Sequence, residues 1–312
     1  MFLEAARRGK NRWWRYLVSL AVIFLAIGIG QFPIFGILML KGYDQAEITE
    51  MSQTLDFEPA GISQNMTVLL LLLAFVGGMA GLWFCLHFIH QKKLKWLVTP
   101  FERVNWSKIF YSFGLWMLLT ALAELVMYAL APENYGMNFQ PDKFLGLVFI
   151  SLLIFPIQTS WEELMFRGYI MQGVSLLVPV RWLPLMFSSV FFGLMHLMNE
   201  EVSAFGLVPT MTYYIGTGLF LGIITLMDDS LELALGVHAA TNIYSSLFVT
   251  FEASSLKTAA LFQMKSVDIY ELLAAFALSA AVYIWVVSKK YNWSDWLRKC
   301  FGQLETQPIG QV

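Results

Sequence analysis

The chain has 312 residues, of which 58% are hydrophobic and only 13% are charged. A soluble globular protein carries roughly 25% charged residues, so this composition excludes an ordinary soluble domain and indicates an integral membrane protein. The formal net charge of −2 gives no basis for a nucleic-acid partner, and we expect none. The two cysteines, Cys85 and Cys300, form no plausible disulfide framework and are interpreted as free thiols.

Long apolar runs follow one another along the chain, and a helix needs about 20 such residues to cross the hydrocarbon core. The first run is far longer than the roughly 7–15 residues of a signal-peptide core, so we interpret it as a retained span. The sequence predicts an all-α fold, a polytopic membrane helical bundle with about eight transmembrane helices. The runs lie near residues 16–40, 66–89, 108–131, 143–160, 182–198, 205–227, 231–250 and 269–288.

The charged residues are distributed unevenly between the connecting segments. Lys and Arg are concentrated before the first run, between the second and third runs and after the last one, whereas the loop at 41–65 is acidic. Cytoplasmic segments of membrane proteins are rich in Lys and Arg. We therefore predict basic cytoplasmic tails at 1–15 and 289–312, an even number of spans, and a multi-pass protein of a bacterial cell membrane.

Two adjacent glutamates lie where the fourth apolar run ends, in Ser160-Trp161-Glu162-Glu163-Leu164-Met165-Phe166-Arg167. Ser160 and Glu163 fit a capping box, which predicts a helix that begins at Ser160. On that helix Glu163 and Arg167 are i,i+4 neighbours that can pair, whereas Glu162 points about 100° away. One acid is then structural and the other is free for chemistry. Interfacial glutamates solvated by lipid headgroups would show the same pattern.

Two further polar groups interrupt the later apolar runs: His196, one turn after Phe192, and the pair His238 and Asn242. The spacing of four places His238 and Asn242 on one helix face. Each group alone is also compatible with hydrogen bonding between helices. Taken together they predict a polar catalytic cavity, in which Glu162 deprotonates a water held by His196. His238 and Asn242 would then stabilise a tetrahedral oxyanion.

These motifs also resemble a known family over about residues 150–250. The motifs are Glu162-Glu163-x-x-x-Arg167, Phe192-x-x-x-His196 and His238-x-x-x-Asn242. In their order and spacing they resemble the CPBP (CAAX-processing and bacteriocin-processing, or Abi) intramembrane protease family, which includes the eukaryotic type II CAAX prenyl endopeptidase. The resemblance implies a glutamate-dependent endopeptidase with eight membrane helices. Its single membrane domain would span 1–312, with a catalytic core at 143–250, and Glu162, His196, His238 and Asn242 would be catalytic, with Glu163 and Arg167 supporting the site.

The sequence leaves open whether the predicted protease depends on a metal ion. Two histidines and a glutamate form a known catalytic zinc set, but the chain contains no His-Glu-x-x-His motif. We expect no metal ligands and no cofactor, and a zinc-dependent version of the protease is the alternative. The expected partners are membrane lipids and a peptide or protein substrate, either lipidated or amphipathic; the sequence does not define the oligomeric state.

Two other classes of protein are compatible with the same residues. One is a proton-coupled transporter with Glu124, Glu162 and His196 as a relay, although no inverted repeat supports it. The other is a non-catalytic bacteriocin-immunity or peptide-binding protein.

Glu124, inside the third run, needs a partner or a water-filled cavity such as a substrate path. His87 and His90 end the second run and are interpreted as interfacial.

Overall fold

The described part of the chain, residues 1–304 of the computed structural model, folds mainly into helices. The predicted all-α membrane bundle is confirmed, and residues 305–312 of the predicted C-terminal tail lie outside the described residues. The helices are α1 (Trp13–Leu40), α2 (Gln45–Thr54), α3 (Gln64–Phe84), α4 (Lys95–Val98), α5 (Trp106–Leu130), α6 (Pro141–Leu153), α7 (Phe155–Glu163), α8 (Met171–Ser175), α9 (Trp182–Leu194), α10 (Glu200–Phe205), α11 (Leu207–Asp228), α12 (Glu232–Leu247), α13 (Ile269–Lys290) and α14 (Trp296–Phe301).

Each of the eight predicted apolar runs contains a helix, but the helices differ in length. Six stretches of the described chain are long and apolar enough to cross a membrane: Trp13–Leu40, Gln64–Ile89, Trp106–Leu130, Pro141–Ser175, Leu207–Asp228 and Ile269–Lys290. The other two, α9 with 13 residues and α12 with 16, fall short of the roughly 20 residues that a span needs. Helix α12 is mostly buried inside the bundle, where no lipid thickness sets its length.

The stretch Pro141–Ser175 is interrupted next to a proline. It continues past residue 160, where the fourth apolar run was predicted to end. Helix α6 ends at Leu153, and α7 begins at Phe155 with Pro156 in its first turn, where a missing N–H costs no helical hydrogen bond. The predicted helix start at Ser160 is therefore wrong, because Ser160 lies in the interior of α7 and the proline sets the start. Helix α7 then runs through a π-helical segment, Leu164–Ile170, into α8.

Close contacts between helices define the bundle. Helix α1 packs along α3, and α5 packs along α12. Glycines make both contacts possible: a Cβ on Gly77 would overlap the carbonyl oxygen of Ala26, and one on Gly236 would overlap that of Ile109. The main apolar core lies between α3, α7 to α9, α11, α12 and α13, while large apolar side chains remain exposed on the outer helices, as in a membrane protein.

The segments predicted as basic tails gather at one end of the bundle and are folded onto it where described. Phe2 is completely buried, and the backbone N–H of Lys10 donates to the carbonyl oxygen of His90 at 2.7 Å. At the other terminus, Leu304 N–H donates to Pro179 O at 2.7 Å. These contacts bring the N-terminus, the α3–α4 connection and the C-terminal segment to the same side.

His90, at the end of the second apolar run, is covered by the N-terminal segment. His90 is 1% exposed; its Nδ1 lies 2.9 Å from Lys10 O, and its Nε2 lies 2.8 Å from the Tyr169 hydroxyl. Burial lowers the pKa of His90 to about 4, so the ring is neutral, with Nδ1–H donating to the carbonyl and Nε2 accepting from Tyr169. His87, in contrast, is exposed and stacks on Trp83.

A small sheet caps the opposite end of the bundle, a feature that the sequence analysis missed. Its strands are β1 (Tyr135–Met137), β2 (Val249–Phe251) and β3 (Phe262–Met264). The order is β1-β3-β2, with β1 antiparallel and β2 parallel to the central strand. Strands of three residues are too short to produce a readable alternation of apolar and polar residues.

Gly77→Ala should destabilise the protein by about 1–3 kcal/mol, because the added methyl group forces α1 and α3 apart. Thermal unfolding of the purified protein in detergent measures the change. Gly28→Ala in α1 is the matched control, since a Cβ there meets nothing within 4 Å. Its stability should be unchanged or slightly higher, as alanine is the better helix former. Equal losses in both variants would contradict this explanation of the α1–α3 contact.

Candidate active site

The polar residues singled out in the sequence converge on one cavity of about 370 Å³. Glu162 comes from α7, His196 from the turn after α9, and His238 and Asn242 from α12. Positions as far apart as 162 and 242 therefore meet, although long apolar segments separate them in the chain. Glu163 lies directly beneath this group and is fully buried.

Glu162 and His196 lie at the same depth, which simple counting of spans did not anticipate. Glu162 is about 13 residues, or roughly 20 Å, before the end of its helical stretch at Ser175. His196 is about 14 residues, or roughly 21 Å, after the start of α9 at Trp182. Only a short turn joins Ser175 to Trp182, so both distances are measured from the same end of the bundle. Glu162 therefore does not lie at the end of its helical stretch, because that stretch continues to Ser175.

Glu163 holds the helices around the cavity together. Its Oε1 accepts a hydrogen bond from Arg167 Nη1 at 2.6 Å and one from His238 Nδ1 at 2.7 Å. Glu163 and Arg167 are both 0% exposed. The Arg167 guanidinium also lies 4.4 Å from the centre of the Phe192 ring, and its Nη2 donates to Gly218 O at 3.3 Å. The carboxylate thus links α7 to α12, and its arginine links both to α9 and α11.

Glu162 is not paired with Arg167 and faces the cavity instead. Its Oε1 accepts a hydrogen bond from Gln158 Nε2 at 2.9 Å, and its Oε2 lies 3.3 Å from His238 Nε2. Asn242 Nδ2 in turn donates to Gln158 Oε1 at 3.1 Å. Gln158 was missed in the sequence analysis, although its i,i+4 spacing to Glu162 was a usable signal.

His196 is oriented by its own helix and by an aromatic neighbour. Its Nδ1 lies 2.7 Å from Phe192 O, and because a carbonyl can only accept, Nδ1 carries the proton. In the neutral ring Nε2 is then an acceptor. The ring stacks on Tyr214 with a centroid separation of 4.0 Å, and Asn199 Nδ2 donates to the Tyr214 hydroxyl at 2.9 Å. These contacts leave Nε2 available to bind a water.

The position of His238 between the two glutamates is the main surprise of the site. Both ring nitrogens face carboxylates, with Nδ1 bound tightly to Glu163 and Nε2 at a longer distance from Glu162. The imidazole thereby links both acids to α12. The arrangement can activate a water on Glu162 and offer an N–H to a developing negative charge.

Three other sequence expectations concern metal binding and isolated side chains. Among residues 1–304, no group of three or more His, Cys, Asp and Glu side chains is arranged to hold a metal ion. Cys85 and Cys300 are buried free thiols, and burial raises the pKa of Cys300. Glu124 has the partner that its depth requires: it lines the same cavity and accepts a hydrogen bond from the Tyr135 hydroxyl at 2.5 Å.

Two comparisons with known proteins give matches. Residues 143–244 match the family model described as type II CAAX prenyl endopeptidase Rce1-like, a range that includes Glu162, His196, His238 and Asn242. The chain is also 28% identical over 244 residues to a Bacillus subtilis (strain 168) protein named "Uncharacterized protein YyaK". That similarity covers 78% of this chain and 80% of the relative. No solved structure matches the chain.

Glu163→Gln should lower the free energy of unfolding by about 3–5 kcal/mol, because it leaves the buried Arg167 charge uncompensated. Glu162→Gln is the matched control: it removes an adjacent carboxylate that makes no contact with Arg167 and should leave the protein stably folded. Thermal unfolding and the yield of monodisperse protein in detergent report the difference. Equal loss of folded protein in both variants would contradict the division between a structural and a free acid.

Proposed function

We propose that this integral membrane protein is an intramembrane endopeptidase, because residues 143–244 match the model of the type II CAAX prenyl endopeptidase Rce1-like family, a family of proteases. Its substrate is a membrane-associated or lipidated peptide or protein, and Glu162 activates the hydrolytic water. The observation that carries the proposal is the pairing of Arg167 with Glu163 alone, which leaves Glu162 facing the cavity near His196.

The first chemical step is the activation of water. His196 Nε2 accepts a hydrogen bond from the water, and the Glu162 carboxylate takes its proton as the hydroxide forms a bond to the carbonyl carbon of the substrate. The protonated Glu162 then gives this proton to the leaving amine nitrogen as the carbon–nitrogen bond breaks. No covalent intermediate with the protein forms, and one carboxyl group acts first as base and then as acid.

The negative charge on the tetrahedral intermediate requires hydrogen-bond donors. In the resting site His238 Nε2 faces Glu162 at 3.3 Å. The mechanism requires a proton on each ring nitrogen of His238: Nδ1–H donates to Glu163, and once Glu162 is protonated, Nε2–H donates to the oxyanion instead. The Asn242 carboxamide, now bonded to Gln158, is the second donor. Such preorganised donors in a site with little water contribute a large part of a rate enhancement.

The orientation in the membrane is part of the same proposal. The gathering of the basic segments at one end of the bundle supports cytoplasmic termini, since Lys and Arg are retained on the cytoplasmic side. A hydrolytic site roughly 20 Å from that end then lies at membrane depth. A relay of Glu124, Glu162 and His196 in a proton-coupled transporter is the competing proposal, because all three residues line one cavity.

Purified protein in liposomes should cleave a membrane-associated peptide into two products that mass spectrometry identifies. Glu162→Gln should reduce the rate by at least about 10³-fold, because the amide cannot accept the proton of the water. Glu102→Gln, at an exposed position away from the cavity, is the matched control and should retain activity. Absence of products, together with proton-coupled uptake of a solute that Glu162→Gln abolishes, would support the transporter instead.

Activity should survive removal of metal ions, because Glu162 and His196 activate the water directly in this mechanism. Purified protein treated with phenanthroline and then passed over a desalting column should keep its rate, and elemental analysis should find less than one metal ion per chain. A known zinc protease assayed in the same buffer shows that the chelator works. Stoichiometric zinc with chelator-sensitive activity would replace the metal-free mechanism with the zinc-dependent one.

A further inference from the structure

The active-site cavity is lined by carboxyl groups but by no lysine or arginine of the described chain. Among the residues of the described chain that line it, three are glutamates, Glu124, Glu162 and Glu201, and none is a lysine or an arginine. Charge in a low-dielectric, membrane-embedded cavity is costly unless an opposite charge or hydrogen bonds compensate it. The carboxyl groups of the cavity wall therefore favour a ligand that brings a cation.

Two of the three carboxylates already have their hydrogen bonds. Glu162 is held by Gln158 and His238. Glu201 accepts from the backbone N–H of Ser255 at 2.9 Å with one oxygen and from the Ser255 hydroxyl with the other. Glu162 is also the proposed base for the catalytic water, and Glu201 holds the segment at Ser255, so neither is assigned to a charged group of a ligand.

Glu124 is different, because only one of its oxygens is engaged. Oε1 accepts from the Tyr135 hydroxyl, whereas Oε2 accepts no hydrogen bond from any residue between 1 and 304. The residue lies six positions, or about 9 Å, before the end of α5 at Leu130. A single phenol provides less stabilisation for a carboxylate at that depth than a cation would.

The distance from Glu124 to the proposed catalytic residues follows from the geometry of α5. Trp116 Nε1 donates to Thr241 Oγ1 at 2.8 Å, so Trp116 marks the level of Asn242, the next residue. From there a stripe of cavity-lining residues on α5 leads to Glu124, eight residues or about 12 Å along the helix axis. An extended peptide covers that distance in three or four residues, at roughly 3.3 Å each.

Building on the proposed endopeptidase function, we propose that Glu124 is a specificity-determining residue that binds a lysine or arginine side chain of the substrate. That side chain belongs to a residue three or four positions from the scissile bond. The Tyr135 hydroxyl orients the carboxylate from β1, while the free oxygen receives the cation. Preferred substrates are accordingly peptides with a basic residue close to the cleavage site.

The test uses a peptide series on an uncharged background, in which one lysine is moved through the six positions on each side of the cleaved bond. With the wild-type protein, kcat/KM should be highest with lysine at the third or fourth position on one side. It should exceed that of the glutamine peptide about tenfold, mainly through KM, as expected for a close charge pair. Glu124→Gln should abolish this preference, so that the lysine and glutamine peptides are cleaved with equal kcat/KM.

Tyr135→Phe is the matched control for a purely structural role. The Glu124→Gln amide still accepts the Tyr135 hydrogen bond but has no charge, whereas Tyr135→Phe removes the hydrogen bond and keeps the charge. The lysine preference should therefore persist in Tyr135→Phe. A preference that survives in Glu124→Gln, or that disappears equally in both variants, would overturn the proposal.

If the protein is not an endopeptidase, the peptide series gives a different result. If the wild-type protein cleaves no peptide in the series, the endopeptidase assignment loses its support, but peptide binding still tests Glu124. Fluorescence anisotropy with labelled peptides should then show tighter binding of the lysine peptide to the wild-type protein and equal binding of both peptides to Glu124→Gln. Equal affinity of the wild-type protein for the two peptides would overturn the role of Glu124.

Discussion

The arrangement of the site depends on one carboxylate, that of Glu163, which is shared between Arg167 and His238. Removing these charged groups from water costs several kcal/mol per ion, and only close, well-directed contacts compensate the cost. Because Arg167 also lies over Phe192 and bonds to a carbonyl of α11, the requirement to satisfy this charge restricts four helices at once. A small displacement of any of them would leave a buried ion without its partner.

This constraint gives the two neighbouring glutamates different environments. Glu163 is bound to Arg167 and His238. Glu162 faces the cavity instead, with Gln158 and His238 as neighbours. A chain of hydrogen bonds from Asn242 through Gln158 then orients Glu162, and the whole set is supported by helices rather than loops. Rigid elements of this kind hold reacting groups within the narrow tolerances that catalysis requires. The same cavity also reaches Glu124, so the proposed water activation and the proposed binding of a basic substrate residue would share one space.

Much of the fold could be predicted because membrane helices have a strong local signal. Apolar length identified every major helix, including the two parts of Pro141–Ser175. The start of α7 and the depth of Glu162 could not be predicted, since a capping pattern at Ser160 competes with a proline whose effect depends on the neighbouring helices. The burial of His90 was missed for a similar reason: the segment that covers it is distant in sequence and basic, and basic segments normally remain in solvent.

Composition and spacing alone were sufficient for the membrane class, the helical bundle and the pairing of Glu163 with Arg167, because these follow from chain length, hydrophobicity and the helical repeat. The position of His238 between two carboxylates, the bonding of Gln158 to Asn242, and the common depth of Glu162 and His196 were decided only by tertiary packing. A helical pattern specifies which face of its own helix a residue occupies. Which atoms meet across helices depends on offsets and crossing angles that are set by glycines and side chains elsewhere in the chain.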